Sequence, residues 1–313
     1  MNYIPKKQVL FYSDAASQSA RERINLGKTK DMDKVVEMLR TWLDKQPHIV
    51  MKNFSRNYLE MCILGAKGST ERAKTLLDRI CTFRTLMPKY FEPVNVSEDF
   101  KELFEIVTPV TLPKYSKDLY RVIVMKFWGD VKNSSQISHL HRNSLLMIEH
   151  MMQTDSVSGC HICVDLSETN ILEIVTKQNP FELKDVATIT MEAYGMQVKG
   201  IHLISTSKLI NSFISLIKQV LKPKMVSRIH VYKSWTELHD ILGKDVLPEE
   251  FGGNEKSIKD IHADWLNELS SEEFINYLRE RTKACTDESR RPELKFNEEY
   301  AGTPGSFRVL SLD

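Results

Sequence analysis

The chain has 313 residues, 42% of them hydrophobic and 27% charged, with a formal net charge of +1. That length can bury one large core or a small one beside a large one, and so even a charge argues against a nucleic-acid-binding surface, which needs a basic excess. No apolar run approaches the roughly 20 residues of a membrane span, and the opening MNYIPKKQVLFYSDAAS lacks a continuous signal-peptide core, so the sequence reads as cytosolic.

Residues 15–95 read as helical. From Asp31 to Asp44, Val35, Met38, Leu39, Trp42 and Leu43 recur at helical spacing before Pro47; a second run, Tyr58 to Leu64, stops at Gly65, and a third, Thr70 to Leu86, stops before Pro88. The string G-A-K-G-S-T has the composition of a phosphate loop without its spacing, because Gly68 is followed by Ser69 where a Walker loop carries Lys. Residues 96–120, with V-T-P-V-T-L-P, read as a connector at a domain boundary.

Beyond the connector, Arg121 to Trp128 reads as a strand, Ser135 to Thr154 as a long helix, and Cys160 to Leu166 as a second strand. Helix 182–194 precedes a third strand, Val198 to Ser205, and Ile229 to Tyr232 gives a fourth. Strands alternating with helices imply an α/β domain with a mostly parallel sheet. Helix 235–242 leads into the turn L-P-E-E-F-G-G, and 257–283 reads as a charged helix with Trp265, Leu266, Leu269, Phe274, Ile275 and Leu278 as its packing stripe. The tail from Thr286, with Pro292, Gly302, Pro304 and Gly305, reads as extended. The domain division expected is 1–95 helical, 96–262 α/β, and 263–313 a terminal helix and tail.

Residues 194–253 are the most informative stretch. The cluster Ser205-Thr206-Ser207 has N-cap chemistry, and after it Leu209, Ile210, Phe213, Ile214, Leu216, Ile217, Val220 and Leu221 form a wide apolar stripe that Pro223 ends. Lys218, Lys222, Lys224 and Arg228 crowd its far end. An apolar helix flanked by cations suits a surface that meets a bilayer and covers an apolar interior.

Cys62, Cys81, Cys160, Cys163 and Cys285 are too few and scattered for a disulfide framework. Cys160 and Cys163, three apart in a strand, point to opposite faces, which argues for core thiols over a redox or zinc pair. His139 and His141, two apart on a helix, point to different sides; His161, His202 and His230 sit on separate strands, which leaves a cluster open. No G-x-S-x-G, G-x-G-x-x-G or H-E-x-x-H occurs, and no nucleophile, base and orienter stand out, so no enzyme activity and no cofactor are expected.

The order of parts resembles the CRAL-TRIO lipid-transfer family. It is carried by Gly159-x-x-x-x-x-Asp165, V-K-G-I-H-L-I at 198–204, the apolar helix, R-I-H-V at 228–231 and L-P-E-E-F-G-G at 247–253. L-G-A-K-G-S-T-E-R-A-K at 64–74 and T-F-R-T-L-M-P at 82–88 are similar to the helical N-terminal domain of insect-type members. The resemblance implies an N-terminal all-helical domain, then an α/β lipid-binding domain whose helix 208–221 is a mobile gate over a cavity.

It also implies a monomeric carrier of one hydrophobic lipid, such as a tocopherol, retinoid, carotenoid or other isoprenoid, that exchanges its cargo at phosphoinositide-containing membranes. The implied cavity wall is Ile162, Val164, Ile189, Val198, Ile201 and Leu203 with Phe213, Ile214 and Ile217 of the gate, each equally readable as plain core. Lys199, Lys224 and Arg228 match positions that hold a phosphoinositide headgroup in tocopherol-carrying members; as plain residues they also read as ordinary solvated charges. Where the family has an Arg-containing turn, an Asn-x-Pro and a further cation, this chain has Leu64-Gly65-Ala66, Ser205-Thr206-Ser207 and Gln197. Met196 stands where phosphatidylinositol-binding members carry Glu, which argues against that lipid inside the cavity.

Burying about fifteen methylenes gains a cargo roughly 12 kcal/mol over water, at ~0.8 kcal/mol each. Little of that gain remains relative to a bilayer, so exchange with a membrane runs near equilibrium. A lipid-responsive adaptor in signalling or trafficking, without net transfer, is the alternative.

Overall fold

The computed structural model describes residues 3–292, and the tail ending G-S-F-R-V-L-S-L-D lies outside them. Helices come first: α1 (Asp14–Glu22), α2 (Thr29–Asp44), α3 (Arg56–Gly65) and α4 (Thr70–Leu86). Ser13, Ser55 and Ser69 cap α1, α3 and α4 with hydroxyl oxygens that accept from backbone N–H groups of the first turn. Two short turns follow, α5 (Val96–Asp99) and α6 (Lys101–Phe104).

Five strands then form one sheet in sequence order: β1 (Val107–Thr111), β2 (Arg121–Phe127), β3 (Gly159–Asp165), β4 (Gln197–Ile204) and β5 (Ile229–Tyr232). The last four run parallel and β1 is antiparallel to β2. α7 (Ser134–Thr154) joins β2 to β3, α8 (Ile171–Lys177) and α9 (Pro180–Thr188) with a π turn (Ile189–Ala193) join β3 to β4, and α10 (Ile210–Val220) and α11 (Pro223–Val226) join β4 to β5. These are the crossovers a parallel sheet requires. α12 (His239–Leu242), α13 (Ile258–Leu269) and α14 (Glu272–Arg281) complete the described chain.

Three expectations are corrected. The stretch 107–111 is a strand, not connector: Pro109 is tolerated because β1 is an edge strand, where a missing N–H breaks no inner ladder. The charged helix at 257–283 is two helices, since Ser271 caps α14 by accepting from the Phe274 N–H. Ser205 and Ser207 do not cap α10; their hydroxyls accept from Ser207 N and Leu209 N in turns before it, and α10 begins at Ile210 without a side-chain cap.

The N-terminal helices are locked to the sheet by polar and glycine contacts. The carboxylate of Glu149 on α7, fully buried, accepts from Tyr194 OH at 2.7 Å and Arg84 Nη2 at 2.9 Å, and from Tyr277 OH of α14. Arg281 lies beside it, its guanidinium over the rings of Phe54 and Tyr58 at 4.4 and 4.6 Å. Gly195, just before β4, has φ +69, and a Cβ there would come within 2.6 Å of Leu76 and 3.2 Å of Gly65. Gly195→Ala therefore meets both a crowded site and a left-handed backbone, and is expected to lower the unfolding free energy by about 1–3 kcal/mol in urea denaturation.

Candidate functional site

Along β2 and β3 alternate residues face opposite ways. Ile123, Met125 and Phe127, then Cys160, Ile162 and Val164, turn to one side and line a cavity of about 230 Å³. β4 keeps that side only through an irregularity: Cys160 pairs with Val198 but His161 with Gly200, so Lys199 is an extra, unpaired residue. This bulge brings Val198, Ile201 and Leu203 onto the same wall, although regular alternation would split the first two.

Helices close the cavity. α7 contributes Ile137, Leu140, His141, Ser144, Met147 and Ile148, and α9 with the π turn contributes Val186, Ala187, Thr190 and Met191. α10 lies against α8 and α9 and presents Phe213, Leu216 and Ile217. Its outer face is solvent-exposed, which explains the amphipathic stripe. None of the lining residues carries a formal charge at neutral pH.

Of the residues expected at the wall, Ile162, Val164, Val198, Ile201, Leu203, Phe213 and Ile217 line the cavity. Ile189 and Ile214 do not. Ile189 is fully buried in the π turn, whose lumen-facing positions are Thr190 and Met191. Ile214 lies about 100° around α10 from Phe213 and packs, partly buried, against the core. Cys160 lines the cavity while Cys163 lies on the other side of β3; burial pushes both thiols up, Cys160 to about 12, and the result is two inert core residues.

The other face of the sheet carries polar groups between buried apolar residues such as Val122, Val124 and Cys163. Lys126 meets Asp165 at 3.2 Å, and Trp235 Nε1 donates to Asp165 at 2.6 Å. His161 Nδ1 and His202 Nε2 lie 3.0 Å apart, the His202 and His230 ring centres are separated by 6.2 Å, and His161 Nε2 is 3.2 Å from Asp118. Burial, then the neighbouring His161 and His230, pushes His202 down to about 4. Among the described residues, no group of three or more His, Cys, Asp and Glu is arranged to hold a metal ion.

Lys199 leaves the bulge on this face, with its ammonium 4.6 Å from the Tyr120 ring centre and 3.2 Å from Gln197 Oε1. Arg228 donates to the Val198 carbonyl oxygen, and Lys224 projects from α11. The structure adds Lys67, which sits with φ +56 just past α3, directly after the Leu64-Gly65-Ala66 turn that lacks an Arg. Burial, then the charges of Lys224, Lys199, Arg72 and Arg228, push its ammonium below the ordinary lysine value, so these cations share one patch. Nothing in the sequence joins Lys67 to residues more than a hundred positions away. The approach of Gly65 to Gly195 does so, with Gln197 Nε2 donating to the Leu64 carbonyl at 2.8 Å.

A mostly parallel sheet whose three helical crossovers close over an apolar lumen, with cations beside the covering helix, defines an α/β domain able to enclose a hydrophobic small molecule. Residues 107–253 match the CRAL/TRIO domain, so this part of the chain is a domain of the CRAL-TRIO family, whose members are in general lipid-binding and lipid-transfer proteins. The chain is 23% identical over 265 residues to the alpha-tocopherol transfer protein-like protein of Mus musculus, covering 83% of this chain and 76% of that one. It is 22% identical over 256 residues to the Homo sapiens protein of the same name, covering 80% and 73%. The crystal structure of Sfh5 superposes with a TM-score of 0.49 at 10% identity, over 87% of this chain and 99% of that one. No helix among the described residues is long and apolar enough to cross a membrane.

Proposed function

We propose that this protein is a non-enzymatic, monomeric carrier that holds one hydrophobic lipid in the cavity and exchanges it at phosphoinositide-containing membranes on the cytosolic side. The observation that carries the reading is the uncharged, predominantly apolar lumen closed by α10, whose own sequence continues into Lys224 and Arg228. A tocopherol, retinoid, carotenoid or other isoprenoid suits such walls. In this reading α10 is the gate, 1–95 is a helical domain, 96–262 the lipid-binding domain, and 263–313 a terminal helix and tail.

The test is native mass spectrometry of the purified chain, followed by organic extraction. One stoichiometric apolar species is expected; a chain that arrives empty and takes up no tocopherol, retinoid or phospholipid from liposomes removes the carrier reading and favours an adaptor. Docking is tested separately. Each cation near an anionic leaflet contributes about 1 kcal/mol, so Lys224→Ala with Arg228→Ala should weaken binding to phosphoinositide vesicles by about 2 kcal/mol, roughly thirtyfold. Adding Lys67→Ala should lower it by about a further 1 kcal/mol, and the differences should shrink as salt rises. Co-sedimentation that is unchanged in the triple variant would remove the patch from docking.

A further inference from the structure

The cavity is not uniformly apolar. His141 and Ser144, three apart on α7 and so on one face of it, line the lumen together with Gln178, which follows α8. Their hydrogen bonding is incomplete. Ser144 Oγ donates to the Leu140 carbonyl at 2.8 Å and Gln178 Nε2 to the Asn179 carbonyl at 2.8 Å, which leaves the serine lone pairs and the Gln178 carbonyl oxygen as acceptors. Gln178 also reaches the imidazole of His141. The Nδ1 of His141, however, is buried with no hydrogen-bond partner.

A buried polar atom without a partner is rare in a folded protein and calls for a reason. Here the atom belongs to a ring on the wall of the apolar lumen beneath α10. Rotation about the broad terminal torsion of histidine is enough to turn either nitrogen toward that lumen. Burial pushes His141 down to about 4, against the opposing pull of Glu182 and Gln178, so at neutral pH the ring is an uncharged donor and acceptor.

We propose that the cargo is a neutral lipid bearing a hydroxyl or carbonyl oxygen, which hydrogen-bonds at the polar end formed by His141, Ser144 and Gln178. The same geometry excludes the matching anions. A carboxylate or phosphate headgroup in this lumen would meet no Lys or Arg among the lining residues, and an unpaired charge is far more costly to bury than a hydroxyl. The cationic patch around Lys199 and Lys224 lies outside the lumen, so an anionic headgroup is met at the surface and a neutral one inside. This inference rests on the carrier reading above and narrows it to a class of cargo.

The experiment presents the full chain with a defined equimolar mixture: retinol, phytol, cholesterol, α-tocopherol and hexadecanol, the methyl ethers of each, and retinoic, phytanic and palmitic acids. Native mass spectrometry then identifies what is retained. The expected result is retention of an alcohol at least tenfold over its own methyl ether and over any acid of the same hydrocarbon frame. His141→Phe with Gln178→Leu should reduce the alcohol-to-ether preference to within about twofold while the hydrocarbon frame is still bound, and His141→Asn should restore part of it. Equal retention of an alcohol and its ether, capture of an acid in preference to its alcohol, or a preference unaltered in the double variant would overturn the assignment while leaving the carrier reading intact. A chain that retains no member of the mixture overturns both.

Discussion

Glu149→Leu should lower the unfolding free energy by about 3–5 kcal/mol, read as a shift of the urea midpoint at constant slope. The carboxylate is the shared partner of Arg84 and Arg281, whose side chains are only 2% exposed, and of the hydroxyls of Tyr194 and Tyr277. Removing it strands two buried guanidiniums and leaves two phenols without their acceptor, which costs much more than the loss of any one contact. Replacing Glu149, Arg84 and Arg281 together with leucine and methionines should recover a large part of the loss, because the penalty lies in the uncompensated charge.

The pH dependence has a definite sign. Burial raises the Glu149 pKa, but Arg84, Arg281 and the hydrogen bonds from Tyr277 and Tyr194 outweigh it, and the net shift is downward. A depressed folded-state pKa means that the stabilisation is present above the unfolded value and is lost as pH falls through the folded one. The wild type should therefore lose stability on acidification below the ordinary carboxylate range, and Glu149→Leu should lose less over the same interval. A urea midpoint for Glu149→Leu within experimental error of the wild type would show that these helices are held together by apolar packing alone.

Phe213→Asp should abolish lipid uptake, with affinity falling a hundredfold or more. Phe213 is on the lumen face of α10, opposite a wall with no charged residue, so the new carboxylate must either be buried unpaired or hold the helix away from the cavity. The first alternative costs several kcal/mol and the second removes the cover. Because Phe213 is only partly buried, the fold should survive, and far-UV circular dichroism with a urea titration distinguishes lost binding from lost structure. Ile214→Asp is the control. It lies off the lumen and should reduce uptake much less. Full uptake by Phe213→Asp would mean that α10 is a fixed wall and the lipid enters elsewhere.

Much of this architecture follows from local chemistry. β-branched runs bounded by turn residues specified β2 to β5, and apolar residues at helical spacing gave α2, α4, α7 and α10 nearly to their ends, because these patterns are set by which face of an element meets water. The stripe on α10 and the cations after it were legible for the same reason. The sequence also separated Cys160 from Cys163, since alternation in a strand needs no tertiary information.

Other features depend on who sits opposite whom. β1 was unreadable because Pro109 argues against a strand until the strand is known to be at an edge. The bulge at Lys199 is a property of the β3–β4 register, and it alone sets Val198 and Ile201 on one wall and sends the lysine to the other side. Ile189 and Ile214 are as apolar as their neighbours, so only the packed positions of the π turn and α10 decide that they face away from the lumen. Lys67 joins the cationic patch through a glycine-to-glycine contact between distant segments, and His141 acquires its unpartnered buried nitrogen from α8 and α9 closing over α7. Composition and period fix what an element can bury; the geometry of its neighbours decides what it does bury.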